Sequence, residues 1–253
     1  MVPFSLISKE KGKNPMIILK YAAAAVLLLM LAAPAAIAHH LWIERSDDNW
    51  EVARGMIPDK KEDYDPNCVQ AVAAFGKDGQ PLGVERIDKE GRVLFKSDGE
   101  VAMATAWSGW GYRVNTTRGK RLIGRIEAEK EGLRVLSAFF STHYAKSLFG
   151  PSEVVSEPTG LRFEIIPRID PTGVNPGDEI EFLVLFDGEP LAKAVLYAEN
   201  GAEASTGADG IAVMAVPDLP IALLYARHRI DVKGDEKKDY DIFTTFLTFE
   251  VNR

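Results

Sequence analysis

The chain has 253 residues, 46% of them hydrophobic, which is enough for one large domain or two small ones around a buried core and excludes wholesale disorder. Its 30 basic and 37 acidic side chains give a net charge of -7, which argues against nucleic acid or anionic lipid as partners and suits cation binding as well as plain solubility. The lone cysteine, Cys68, excludes an intramolecular disulfide, so stability rests on the core; with no His or second Cys near it in sequence, it reads as a small buried apolar residue and not a nucleophile.

The first element is an export signal. A lysine-bearing stretch precedes "YAAAAVLLLMLAAPAAIA", which has the order of basic n-region, apolar h-region and small residues at the -3 and -1 positions. The competing reading is an uncleaved anchor, for which the apolar run is short. Ala36-Ile37-Ala38 fits an A-x-A cleavage site. Cleavage after Ala38 makes residues 1–38 a signal peptide, His39 the new N-terminus and the bacterial periplasm the destination. Met16 offers an alternative start, since "MIILKYAAAAVLLLML" is a complete signal by itself. Loss of Lys9, Glu10, Lys11, Lys13 and Lys20 with the signal leaves a net charge of -10.

Beyond residue 38, alternation replaces helical periodicity. "LRVLSAFFSTHY" sets Leu133, Val135, Phe139 and His143 on one face and Leu136, Ala138, Phe140 and Tyr144 on the other, a strand buried on both sides. "EIEFLVLF" groups Ile180, Phe182, Val184 and Phe186; "FTTFLTFEV" groups Phe243, Leu247, Phe249 and Val251. Turn signals such as Asp187-Gly188 and Asp209-Gly210 separate the runs. The Pro-, Gly- and Ser-rich stretch Phe149 to Gly160 reads as a linker. The expected fold is all-β, with an N-terminal β-rich domain over 39–157 and an immunoglobulin-like or carboxypeptidase-regulatory-like sandwich over 158–253.

No nucleophile elbow, zinc-protease helix, P-loop or dinucleotide fingerprint occurs, so the chain is not read as an enzyme. The aromatics of "WSGWGYR", Trp107 to Arg113, read first as packing and second as a sugar-stacking surface. Metal binding has more behind it. After cleavage, His39 carries an α-amine and a ring Nδ1 that close a chelate ring without tertiary structure, and His40 adds a second imidazole. His143 and His228 are the remaining histidines, each expected near a strand end. An isolated histidine there is ordinarily a satisfied or surface residue, so they are supplementary candidates. Asp59, Glu62, Asp63 and Asp65 lack the spacing of a calcium loop and read as solvated.

"AHHLWIE", "HYAKSLFG", the block "GLRFEIIPRIDPTGVNPGDEIEFLVLFDGEPLAKAVLYA" and "TGADGIAVMAVPDLPIALLYARHR", closing with "TTFLTFEV", resemble the DUF4198 family of exported bacterial proteins. That family is also described as a periplasmic component of cobalt/nickel transport systems. The resemblance is strongest over 160–251 and weak over 45–130. It implies a periplasmic accessory to Ni²⁺ or Co²⁺ uptake that acts with an inner-membrane metal transporter; the residue chemistry offers His39 and His40 as the core ligands, with His143 and His228 as additional candidates. Cu²⁺ and Zn²⁺ would suit the same donors. The alternative is a non-catalytic envelope module that binds glycan or protein through Trp107, Trp110 and Tyr112. A third reading, an oxidative copper enzyme, needs a second histidine beside His39.

Overall fold

The computed structural model describes residues 39–57 and 60–251; the expected signal segment 1–38 and Asp59 lie outside them. Alternation becomes strands throughout. The N-terminal half supplies β1 (His40–Ser46), β2 (Asn49–Met56), β3 (Lys60–Lys61), β4 (Val69–Phe75), β5 (Pro81–Leu82), β6 (Val84–Lys89), β7 (Arg92–Ser97), β8 (Met103–Thr116), β9 (Gly119–Arg121), the short helix α1 (Arg125–Lys130) and β10 (Val135–Leu148). The C-terminal half supplies β11 (Phe163–Pro167), β12 (Glu179–Phe186), β13 (Glu189–Pro190), β14 (Val195–Ala198), β15 (Glu203–Ser205), β16 (Ile211–Ala215), β17 (Ile221–Asp231) and β18 (Tyr240–Glu250).

These strands make three layers. The front sheet runs β1-β2-β7-β6, with β3 on β2. The back sheet runs β11-β12-β13, with β16 on β12. Between them lies a nine-stranded sheet in the order β15-β14-β17-β18-β10-β8-β4-β5, with β9 on β8. Side-chain parity shows why the middle sheet is apolar on both faces. Ala145, Phe246 and Leu223 join Leu41, Trp42, Val52 and Phe95 in the front core. Tyr144, Leu148, Phe243, Leu247 and Phe249 join Phe163, Ile180, Phe182, Val184 and Phe186 in the back core.

The middle sheet crosses the boundary expected at residue 157. β10 and β18 pair in parallel, from Phe139 opposite Tyr240 to Leu148 opposite Phe249. Two sandwiches therefore exist, but they share one sheet, and His39–Arg253 is one compact unit. The stretch read as a linker is instead a packed crossover from the middle to the back sheet. Val155 within it is fully buried, Ser152 N–H donates to Asp170, and Ser152 Oγ donates to the Lys77 carbonyl at 2.8 Å. The crossover is clamped by Lys146, whose Nζ donates to the Glu157 carbonyl at 3.0 Å and to Glu164 at 3.1 Å. Glu164 also accepts from the N–H and Oγ1 of Thr159.

Leu41-Trp42-Ile43 docks β1 on the middle sheet. β1 is an edge strand with a free ladder side, and there Ile43 N–H donates to Ser147 Oγ at 2.9 Å, itself 2.6 Å from Thr248 Oγ1. Tyr64 closes the front sheet: its hydroxyl donates to the Val52 carbonyl and accepts the Val93 N–H. Tyr64→Phe orphans both buried backbone groups and should cost about 1–3 kcal/mol in urea denaturation. A cost indistinguishable from zero would mean that the hydroxyl does not hold the β2–β7 ladder.

Candidate functional site

His39 stands at the rim of the front sheet, with its side chain 43% exposed and its Nε2 2.9 Å from Glu62 Oε2. Arg54 and Lys60 grip the same carboxylate. Burial works against the Glu62 charge, but Lys60, His39 and Arg54 hold its pKa below the ordinary value. His40 begins β1, opposite Gly55. Only glycine fits there: its φ is +147°, and a Cβ would sit 1.9 Å from the Lys60 carbonyl oxygen.

His40 is 3% exposed and both its ring nitrogens are occupied. Nδ1 accepts the Ile57 N–H at 3.3 Å, and Nε2 lies 3.2 Å from Glu199 Oε2. That arrangement fixes a neutral tautomer with the proton on Nε2. Burial, His39 and Arg227 lower the pKa to about 4.

His143 lies within β10 and not at a strand end, because β10 extends to Leu148. Its ring lies between Trp110, at 5.8 Å, and Phe246, at 5.4 Å; Nε2 is 3.4 Å from Ser141 Oγ. Phe246 also meets His40, at 6.0 Å. Burial, then Arg54, Arg113, Arg227 and His39, hold the His143 pKa well below the ordinary value. Three guanidinium groups repel a cation as they repel a proton, so this imidazole is poorly placed for a metal.

A β-bulge builds this surround. Trp110 and Gly111 together oppose Ser141 in the β8–β10 ladder, with Gly111 at φ +76°. Ser108 and Arg113, five residues apart, would face opposite sides of a regular strand. The extra residue returns both to the front face together with Trp110. Arg54 stacks on the Trp110 ring at 4.7 Å. Sequence reasoning missed Arg54 and Arg113; the available signal was a glycine inside a strand pattern, which marks a bulge.

His228 lies within β17 and packs against Phe186 and Phe163 on the back face, away from the other three histidines. Burial lowers its pKa, with Asp187 opposing. The four histidines are thus not gathered, and among the described residues no group of three or more His, Cys, Asp or Glu side chains is placed to hold a metal ion. The aromatic trio is also divided. Trp107 stacks on Tyr144 and Tyr112 on Phe140 at the back, whereas Trp110 faces front. At the opposite end of the front core lies a cleft of ≈ 410 Å³ lined by Trp42, Trp50, Phe149 and Glu44.

A family model, "Domain of unknown function (DUF4198)", matches residues 36–229. The chain belongs to the DUF4198 family. The match covers His39 and His40, the front sheet and all but the end of β17. Its bounds include 45–130, where the sequence motifs were weakest, and it ends before the "TTFLTFEV" of β18. Neither the curated proteins nor the solved structures compared with this DUF4198 chain yield a match.

Proposed function

We propose that this DUF4198 protein is a non-catalytic periplasmic metal-binding accessory to nickel or cobalt uptake, with an inner-membrane transporter as its partner. The observation that carries the reading is the His39–Glu62 pair, a half-exposed imidazole 2.9 Å from a carboxylate at the rim. A nitrogen donor beside an oxygen donor suits Ni²⁺, Co²⁺ and Zn²⁺; Cu²⁺ binds most such sites more tightly, so preference must come from geometry. Cleavage after Ala38 would add the His39 amine to the same set. His40 supports the site without joining it, because both its nitrogens are already used.

Calorimetric titration of the exported protein with Ni²⁺ and Co²⁺ tests this. His39→Ala should weaken binding at least tenfold and Glu62→Gln several-fold, whereas His40→Ala should act mainly on stability. Unchanged affinity in His39→Ala sinks the proposed site. The aromatic cleft between Trp42, Trp50 and Phe149 favours the second reading, an envelope interaction module. On that reading Trp50→Ala removes binding to envelope glycan or protein and leaves the metal titration unchanged.

A further inference from the structure

We propose that the front face of the middle sheet, where it extends past His40 and Arg54, is a binding site for a small oxyanion. The ligand class is a carboxylate or a tetrahedral oxyanion, and the residues are Arg54, Ser108, Trp110, Arg113, Lys120 and His143. The site does not depend on the metal reading, although its Arg54 also pairs with Glu62.

Unsatisfied donors are the first ground. Six buried side-chain polar atoms lack a hydrogen-bond partner among the described residues, and four of them belong to this neighbourhood: Arg54 Nε, Ser108 Oγ, Trp110 Nε1 and His143 Nδ1. They adjoin one another. Arg54 lies over Trp110, Trp110 lies edge-on to His143, and His143 stands opposite Ser108 across the β8–β10 ladder. Arg54 Nε and Trp110 Nε1 can only donate, and Ser108 can donate. Ser108 is fully buried and His143 is 9% exposed, so solvent satisfies neither readily. An unpaired buried polar group costs about 1–3 kcal/mol, which makes a cluster of them a functional feature in search of its acceptor.

Charge is the second ground. The chain is acidic, at net -7, yet cations converge here. Arg113 is partly buried and makes no ion pair among the described residues. Burial and Arg54 lower its pKa; burial, Arg113 and Arg227 lower that of Lys120. Lys120 reaches over the Phe139 ring, the cross-strand neighbour of Arg113. An oxyanion with two or more oxygens would neutralise this repulsion and accept from the orphan donors at once.

The test is titration of the purified exported protein with sodium acetate, citrate, phosphate and sulfate at constant ionic strength in sodium chloride. Tryptophan fluorescence, to which Trp110 contributes with three other tryptophans, follows binding, and calorimetry gives the affinity. At least one probe should bind saturably. Acetate or citrate alone identifies a carboxylate ligand; phosphate or sulfate alone identifies a tetrahedral one. Arg113→Gln should weaken binding at least tenfold and Arg113→Lys less. If Arg113→Gln fails to fold, Lys120→Gln at the exposed end should still weaken it several-fold. No saturable response to any of the four probes, or an affinity unchanged in these variants, overturns the proposal.

Discussion

Glu164→Ala is expected to destabilise the protein by about 3–5 kcal/mol, because it strands a buried ammonium group. Lys146 and Glu164 are each 1% exposed, and their contact joins β10 of the middle sheet to β11 of the back sheet. Burial lowers the Lys146 pKa, and Glu164 opposes that shift. Removing the carboxylate leaves the charge unpaired and also orphans the Thr159 N–H and hydroxyl. Lys146→Met combined with Glu164→Leu should recover most of the loss, since two apolar groups of similar volume demand no partners. Urea denaturation of the single and double variants reads both effects. A single variant within about 1 kcal/mol of the parent would mean that water reaches the ammonium group and the pair is not truly buried.

Acidification should produce the second large effect. Folded His40 stays neutral to about pH 4, whereas the unfolded chain protonates it near 6.5. Between these values the unfolded state holds more protons, so stability falls as pH falls from 6.5 towards 4. His143 shifts in the same direction and adds to the slope. The loss from His40 is limited to about 3 kcal/mol, because each pH step between the two protonation midpoints is worth ~1.4 kcal/mol. Protonation would also set a hydrogen on Nδ1 against the Ile57 N–H, donor facing donor. Denaturation at pH 7, 5.5 and 4.5 should show the loss, and His40→Asn should flatten the profile while lowering stability at pH 7. Equal stability at all three values contradicts the neutral, doubly bonded imidazole.

Much of the fold was legible in the chain. The runs around Ile180 and Phe243 were expected to share faces, and their residues enter one core. The strand through His143 was expected to be buried on both sides, and it lies in the middle layer. Its starting register was not legible, because a shift in pairing at Val135/Ser137 breaks simple alternation there. The candidate site was less readable. His39 and His40 were visible as adjacent donors, but their different fates depend on Glu62, Ile57 and Glu199, which are remote in sequence.

The sequence by itself determined the all-β class, the runs that became β10, β12 and β18 and the motifs shared with DUF4198, because a period of two and local turn chemistry are written in consecutive residues. Only the tertiary structure decided that the two sandwiches share a sheet. It also decided that His228 faces away from the other histidines and that Arg54 stacks on Trp110, which lies edge-on to His143. Those outcomes rest on strand pairing across a hundred residues and on one bulge at Gly111, and neither leaves a periodic trace in the chain.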